Sequence, residues 1–411
     1  MYRQRTKTTA GWIRLASVTI TVLLYATAGG ASADERTRPV GLKGDPSTLA
    51  TLRNFDEAIR AHPNDADLYW RRAEVLTLLA YYDEALRDCN HSIKLNPHCS
   101  SAYYNRAETY LKMGYVANAM SDAQHSIALS PQEGRPYYAR AIVYSQINEN
   151  DKALADFSRA VALAPDAHNY IARGNFYEKI GAFNKAVQDY TSALERAGPV
   201  ARAVYLMRGK VYIEIGRADL AVQDLNNVPN DIGYYHKAIA LIHLQDYKSA
   251  LRSCSMAIAL SPTDYYYRLT RVLISYYLHD YRNALLDLDC VAKQAPTSRH
   301  LNETKGKIHM LLGEYQTAIE DYSEAIKQQG SGLATSYANR GLAYSKCDEY
   351  KKAVEDYGNA ISLEPWNARN HVWRAAAYEK LGMHEEAKGD IAISQRIADR
   401  FGYKALCNKP G

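Results

Sequence analysis

The chain carries none of the short motifs that announce common chemistries. Its 411 residues contain no glycine-rich phosphate loop, no His-Glu-x-x-His and no Gly-x-Ser-x-Gly. That removes the usual sequence grounds for a P-loop enzyme, a zinc protease or an α/β-hydrolase. Met383-His384-Glu385-Glu386 lacks the second histidine that would complete a zinc pair on one helix face. The densest group of ligating side chains is Cys89, His91, His98 and Cys99. Cys89 and His91 stand about 200° apart around a helix, so they do not converge on one ion. No catalytic residue, no metal and no cofactor is expected.

Charge of one sign is also scarce. The formal net charge is +5, and four of the positive charges (Arg3, Arg5, Lys7, Arg14) sit at the extreme N-terminus. Without them the balance is +1, too small for a nucleic-acid footprint. The one sizeable apolar run, Leu15 to Ala28, is short for a membrane span and ends at Gly29-Gly30. Small residues Ala31-Ser32-Ala33 follow. Residues 1–33 therefore read as a secretory signal cut before Asp34, with 34–46 a linker. An exported protein, periplasmic or secreted, is expected; anchoring by residues 15–28 is the alternative. Of six cysteines, Cys89 and Cys254 fall on an inward-facing repeat position, so buried free thiols are expected there.

Tyrosine is what the chain has in quantity, 34 of them, and they recur in a register. Arg140-Ala141, Tyr144, Ala153, Asp156-Phe157, Ala160 and Pro165 return as Arg340-Gly341, Tyr344, Ala353, Asp356-Tyr357, Ala360 and Pro365. The period is 34 residues or close to it, the length of a helix–turn–helix unit that buries its apolar face only by stacking on copies of itself. Numbering from the first residue of helix A, repeats start at Ala66, Ser100, Gly134, Ala167, Arg202, Asp231, Tyr265, Arg299, Ala334 and Ala368. Residues 47–65 supply a capping second helix before them, Glu385 to Arg400 a helix after them, and 401–411 a tail. Small residues at positions 8, 20 and 27 bring the two helices close; large ones at 4, 11, 17 and 24 fill the gaps. Glycine at position 15 (Gly114, Gly181, Gly216, Gly313, Gly382) permits the turn. Proline at position 32 stops helix B.

This pattern resembles the tetratricopeptide repeat (TPR) family over nearly the whole chain after residue 46. The resemblance implies an all-α, right-handed α-solenoid of about ten units, in two blocks, 66–230 and 231–400. It also implies a concave groove lined by positions 2, 5, 9, 12 and 13 of the A helices, where partners lay an extended segment or a helix. Here those positions hold Trp70, Tyr104, Tyr138, Tyr235, Tyr266, Tyr276 and Tyr277, with Arg135 and Lys210 among the interspersed charges. One subgroup of the family grips a C-terminal carboxylate with groove lysines. Position 5 of the first repeats is Trp70, Tyr104 and Tyr138, so that clamp is absent.

Two further features come from comparing the units with one another. Position 7 is Arg and position 23 Asp in eight of ten repeats, from Arg72/Asp88 to Arg374/Asp390; Lys305/Asp321 keeps the charges and Lys237/Ser253 does not. Both positions flank the core face, so a partly buried pair joining helix A to helix B is expected. The register also slips: Arg202 to Asp231 is 29 residues, and Pro229 with its Asn/Asp neighbours ends a helix early.

The reading is a non-catalytic scaffold that binds a protein or peptide within a cell-envelope or secreted assembly, with no nucleic-acid partner. Two alternatives stay open: a self-assembling structural protein, and an enzyme with its site at the irregular 226–240 junction.

Overall fold

The helices begin where the register places them. A computed structural model describes residues 46–294, 299–328 and 332–401. The expected signal, most of the linker, Pro296, and the tail from 402 with Cys407 lie outside the described residues. Those described residues form α-helices and one 3-10 turn (Gly198–Val200), with no strand among them. The architecture is an all-α solenoid of helix pairs.

Two compact units, 46–244 and 245–401, make up the described chain. The first opens with a lone helix, α1 (Pro46–Ala61). Pairs follow: α2 (Ala66–Leu78) and α3 (Tyr82–Leu95), α4 (Ser100–Met113) and α5 (Val116–Leu129), α6 (Gly134–Gln146) and α7 (Asn150–Leu163). Next come α8 (Ala167–Lys179) and α9 (Phe183–Leu194), α10 (Ala201–Glu214) and the short α11 (Ala218–Leu225), then α12 (Asp231–His243). The second unit starts with α13 (Tyr247–Leu260) and continues as α14 (Tyr265–Tyr277) and α15 (Tyr281–Gln294), α16 (Arg299–Leu312) and α17 (Tyr315–Lys327). It closes with α18 (Leu333–Lys346) and α19 (Tyr350–Leu363), α20 (Ala368–Lys380) and α21 (His384–Phe401).

Sequence chemistry explains both ends of these helices. Asn96, Ser130, Ala164, Ser261 and Glu364 each precede a proline and hold φ between −138° and −132°. The proline ring crowds an α-helical neighbour, so the chain leaves the helix one residue ahead of it. At the A-to-B turn every repeat puts position 15 at positive φ. The five expected glycines are there, and so are Ala80, Asn148, Gln245, His279 and Asp348, at φ of 57° to 62°. The turn geometry is thus imposed by packing even where glycine is missing.

The core runs through each pair as a size match between positions 8 and 24. Ala73 faces Cys89, and Ala141 faces Phe157, all buried. Wherever position 24 is tyrosine, position 8 is glycine: Gly174 with Tyr190, Gly306 with Tyr322, Gly341 with Tyr357. Position 20 is a fully or nearly fully buried alanine from Ala85 to Ala387.

The shortened fifth repeat is closed by a different contact. Helix α11 has 8 residues, and buried Val228 fills the space after it. A Cβ on Gly233 would lie 2.0 Å from the Val228 carbonyl oxygen, so only glycine fits at that point of α12. The Asn230 side chain caps the same helix, accepting from the Gly233 N–H at 2.8 Å.

Candidate functional site

Any binding surface on a solenoid is only as well placed as the joints beneath it, and the arginines make those joints. In all eight Arg/Asp repeats the guanidinium donates two bonds to its own repeat's aspartate, Nε to Oδ2 and Nη2 to Oδ1. They span 2.6–2.9 Å. The aspartates are buried, at 3–6% exposure, and each arginine stays firmly charged because of the hydrogen bonds to its carboxylate, as at Arg140 and Arg340. Burial nonetheless pushes the Asp356 carboxyl above its ordinary range despite Arg340. Asp390 is buried too, but bonds from Arg374 and His371 hold it below that range. Tyrosines at positions 4 and 11 bracket the guanidinium; Tyr137 and Tyr144 lie 5.7 and 5.8 Å from Arg140.

A third contact, which sequence reading missed, reaches backwards. In five of the eight, Arg271 to Ser255 at 3.4 Å among them, the remaining Nη1 donates to position 25 of the preceding unit. Arg72 bonds Asp56 at 2.8 Å, Arg106 Asn90 at 2.7 Å, Arg208 Thr191 at 2.8 Å and Arg340 Ser323 at 3.0 Å. The signal was available as a run of short polar residues at position 25. These arginines therefore lock neighbouring repeats as well as their own two helices.

The pair of the eighth repeat departs from the expectation. Lys305 does not bind Asp321; its ammonium sits 2.6 Å from Asp289, at position 25 of the repeat before. Asp321 instead meets His309 Nδ1 at 2.6 Å. A lysine is a single point charge and serves one of the two sites, whereas arginine's fork serves both. Histidine replaces tyrosine at position 11 in this repeat alone, and it fills the vacated seat. Burial raises the Asp321 carboxyl above its ordinary range, with the His309 hydrogen bond opposing.

In the first unit, α4 and α6 flank a cleft of about 150 Å³. Glu108, Leu111 and Lys112 line it from α4, and Tyr138, Ala139, Ile142 and Gln146 from α6. Burial, and then the Glu108 charge, push the Tyr138 hydroxyl up to about 12. Its ring lies edge-on to Phe157 and His168, at 6.3 and 4.7 Å between centroids. Trp70 and Tyr104 do not present free rings: they are 9% and 6% exposed. Trp70 packs with Cys99 and Ala102, and Tyr104 with Ala107, Ala123 and Ala139. Both pack against the A helix of the following repeat. Arg135 of the third repeat lies 5.7 Å from the Tyr104 ring and 3.7 Å from Glu74 of the first.

Lys210 and Tyr235 converge on His236 at the irregular junction. Burial, followed by the nearby Lys210 charge, pushes His236 down to about 4. Its ring meets Tyr235 at 5.2 Å. No carboxylate, thiol or hydroxyl is hydrogen-bonded to it among the described residues, so the perturbation is that of a packed imidazole. In the second unit Tyr266 stacks on Tyr265 at 4.2 Å. Tyr276 and Tyr277 join Tyr247 and Tyr281 in one aromatic group. Tyr247 and Tyr281 were not among the expected site residues, since each lies on a helix B rather than a helix A.

Five cysteines are described and all are free, with Cys89, Cys99 and Cys254 buried. No group of three or more His, Cys, Asp or Glu fit to hold a metal occurs among the described residues. No described helix is long and apolar enough to cross a membrane.

Family models described as "Tetratricopeptide repeat" match residues 100–133, 134–166, 171–233, 300–330 and 334–367. No curated protein matches the chain. Among solved structures, a tetratricopeptide repeat protein from Parabacteroides merdae is 17% identical, over 59% of this chain and 98% of its own, with a TM-score of 0.43. PilF of Pseudomonas aeruginosa is 16% identical, over 51% and 97%, with a TM-score of 0.44. PilW, titled a type IV pilus biogenesis factor, is 14% identical, over 49% and 96%, with a TM-score of 0.45.

Proposed function

The chain belongs to the tetratricopeptide repeat family, and from that premise we propose that it is a non-catalytic scaffold holding a segment of another protein. The observation that carries this reading is the cleft between α4 and α6. Leu111, Ala139 and Ile142 give it an apolar lining, and Glu108, Lys112 and Gln146 a polar one. Apolar side chains beside groups able to orient a backbone suit a peptide segment. The joints beneath keep the cleft rigid, so little ordering is required on binding. We include export in the proposal, on the basic start and short apolar run of residues 1–33. The scaffold would then act in the cell envelope or outside it.

The test is capture from the native envelope with the full chain as bait, beside a variant carrying Lys112→Glu, Ile142→Arg and Gln146→Glu. All three side chains are at least partly exposed, and circular dichroism verifies the variant's helices. Proteins identified with the first bait and lost with the second support the reading. Equal capture by both overturns the cleft as the site. Recovery of nothing but the chain itself overturns the scaffold in favour of self-assembly.

A further inference from the structure

The fourth position of helix A repeats one contact along the chain. Its side chain donates to the carbonyl of the proline that closes the preceding helix. The Tyr69 hydroxyl reaches Pro63 O at 2.9 Å, and the Tyr137 hydroxyl reaches Pro131 O at 3.2 Å. In the seventh repeat the position holds Arg268, which does more. Its Nη2 donates to Pro262 O at 3.4 Å, and its Nη1 lies 3.6 Å from Oδ1 of Asp287. Arg271 already bonds that aspartate twice. The position is thus a seat that takes a cation, with a carbonyl on one side and a paired carboxylate on the other.

The tenth repeat places His371 there, and its ring meets the same two acceptors. Nε2 is 3.3 Å from Pro365 O, and Nδ1 is 3.1 Å from Asp390 Oδ1. Both side chains are buried. Burial works to raise the Asp390 carboxyl, yet the bonds from Arg374 and His371 hold it below its ordinary range, so it remains an acceptor. A neutral imidazole has one N–H and leaves a lone pair against one of these oxygens, whereas an imidazolium donates to both.

The charged groups at the ring are Asp390 from α21 and, across it, Arg374 from α20. The turn after α19 brings the Pro365 carbonyl, and Glu364 beside it accepts from Asn367 at 3.2 Å. No other hydrogen bond or ion pair reaches His371 among the described residues. The ring also carries a tie that its arginine lacks. Arg374 bonds Asp390 alone, since position 25 of the ninth repeat is Gly358, which has no side chain to accept a third bond. Within this joint, the link back to the ninth repeat runs through His371 to Pro365.

We propose that His371 is carried as an imidazolium and is a proton-operated latch on the last helix pair, closing α20–α21 in mild acid and loosening it as the pH rises. Arg268 is the same contact made with a permanent charge, so it has no release. The sign follows from linkage. A proton held by the fold and shed by the unfolded chain stabilises fully below the ordinary histidine value of about 6.5, and the gain is lost once the folded ring gives that proton up.

Nitrogen-15 spectra of the histidine rings in the full chain read the latch directly, with His371 assigned by the signal lost in His371→Arg or His371→Tyr. Both of its nitrogens are expected to remain protonated at about pH 7, where an unfolded histidine has mostly lost the second proton. A lone-pair nitrogen at His371 at that pH overturns the latch. Amide exchange reads the consequence. Protection in α20 and α21, relative to α18 and α19, is expected to fall about tenfold from about pH 6 to about pH 9. His371→Arg, which copies the seventh repeat, is expected to abolish that fall and keep the protection high. His371→Tyr, which copies the first repeat and reaches only the carbonyl, is expected to abolish it at a lower level. A fall that persists in His371→Arg, or protection in the wild type that ignores pH, overturns the proposal. Should either variant fail to fold, the ring spectra of the wild type still decide.

Discussion

A Cβ placed on Gly341 would lie 2.9 Å from Cε1 of Tyr357, so the glycine of helix A and the ring of helix B occupy one volume between them. Gly341→Ala is expected to destabilise its repeat by about 1–3 kcal/mol, the cost of overpacking a filled core. Tyr357→Cys on the same background recreates the Ala73/Cys89 pairing found in the first repeat and should recover part of the loss. A double-mutant cycle in urea measures the coupling; additive effects would sink the size-match argument.

The left-handed turn residues offer the opposite sign. Ala80 is held at φ 62°, where its Cβ crowds the following carbonyl. Ala80→Gly is expected to stabilise the first repeat by about 0.5–1 kcal/mol, since relief of that strain exceeds glycine's extra chain entropy. Gly181→Ala, at φ 75°, should lose a similar amount. Urea midpoints for the pair decide the matter, and changes of the same sign would contradict it.

The Lys305–Asp289 and His309–Asp321 exchange predicts a gain by reversion. Lys305→Arg together with His309→Tyr supplies a fork able to serve both Asp321 and Asp289, as Arg340 serves Asp356 and Ser323. Amides of α16 and α17 should then exchange roughly five- to tenfold more slowly, about 1 kcal/mol. Lys305→Arg alone is expected to give less, because His309 still occupies Asp321. Unchanged exchange in the double variant would mean the histidine joint is as strong as the arginine one.

His236 predicts acid sensitivity at the junction. Its imidazole is pushed down to about 4 in the fold, while an unfolded one takes a proton near about 6.5. Between those values the unfolded state binds more protons, so stability is full above about pH 6.5 and falls as pH drops toward about 4. The loss is at most about 3.5 kcal/mol, since one unit is worth about 1.4. Exchange of α12 amides from pH 8 to 4, in wild type and His236→Gln, isolates it; identical slopes would remove His236 from the explanation.

Much of this was legible in the amino-acid order because the order repeats. Eight of the ten expected helix starts coincide with the observed ones, and Ala201 and Leu333 begin one residue early. The Arg/Asp pairs stood out because eight copies agree. What escaped is what a single repeat does not contain. Trp70 and Tyr104 share a helical face with exposed positions, and they are buried because the A helix of the next repeat covers them. Gly233 looks ordinary until the shortened repeat brings the Val228 carbonyl against it. Tyr247 reads as a helix-B packing residue, and its stacking partner Tyr277 belongs to the following repeat.

In five of the eight joints the arginine's third donor goes to the unit before it, as in Arg106 to Asn90, Arg208 to Thr191 and Arg340 to Ser323. Dependence along the chain therefore has a direction. Trimming repeats from the C-terminal end exposes an Asn, Thr or Ser that water satisfies at once. Trimming from the N-terminal end strips a partner from the next arginine and loosens a joint that was still in use. Shortened or spliced versions of this molecule should tolerate loss at the back better than loss at the front, so its beginning is the part that a lineage or an engineer can least afford to cut.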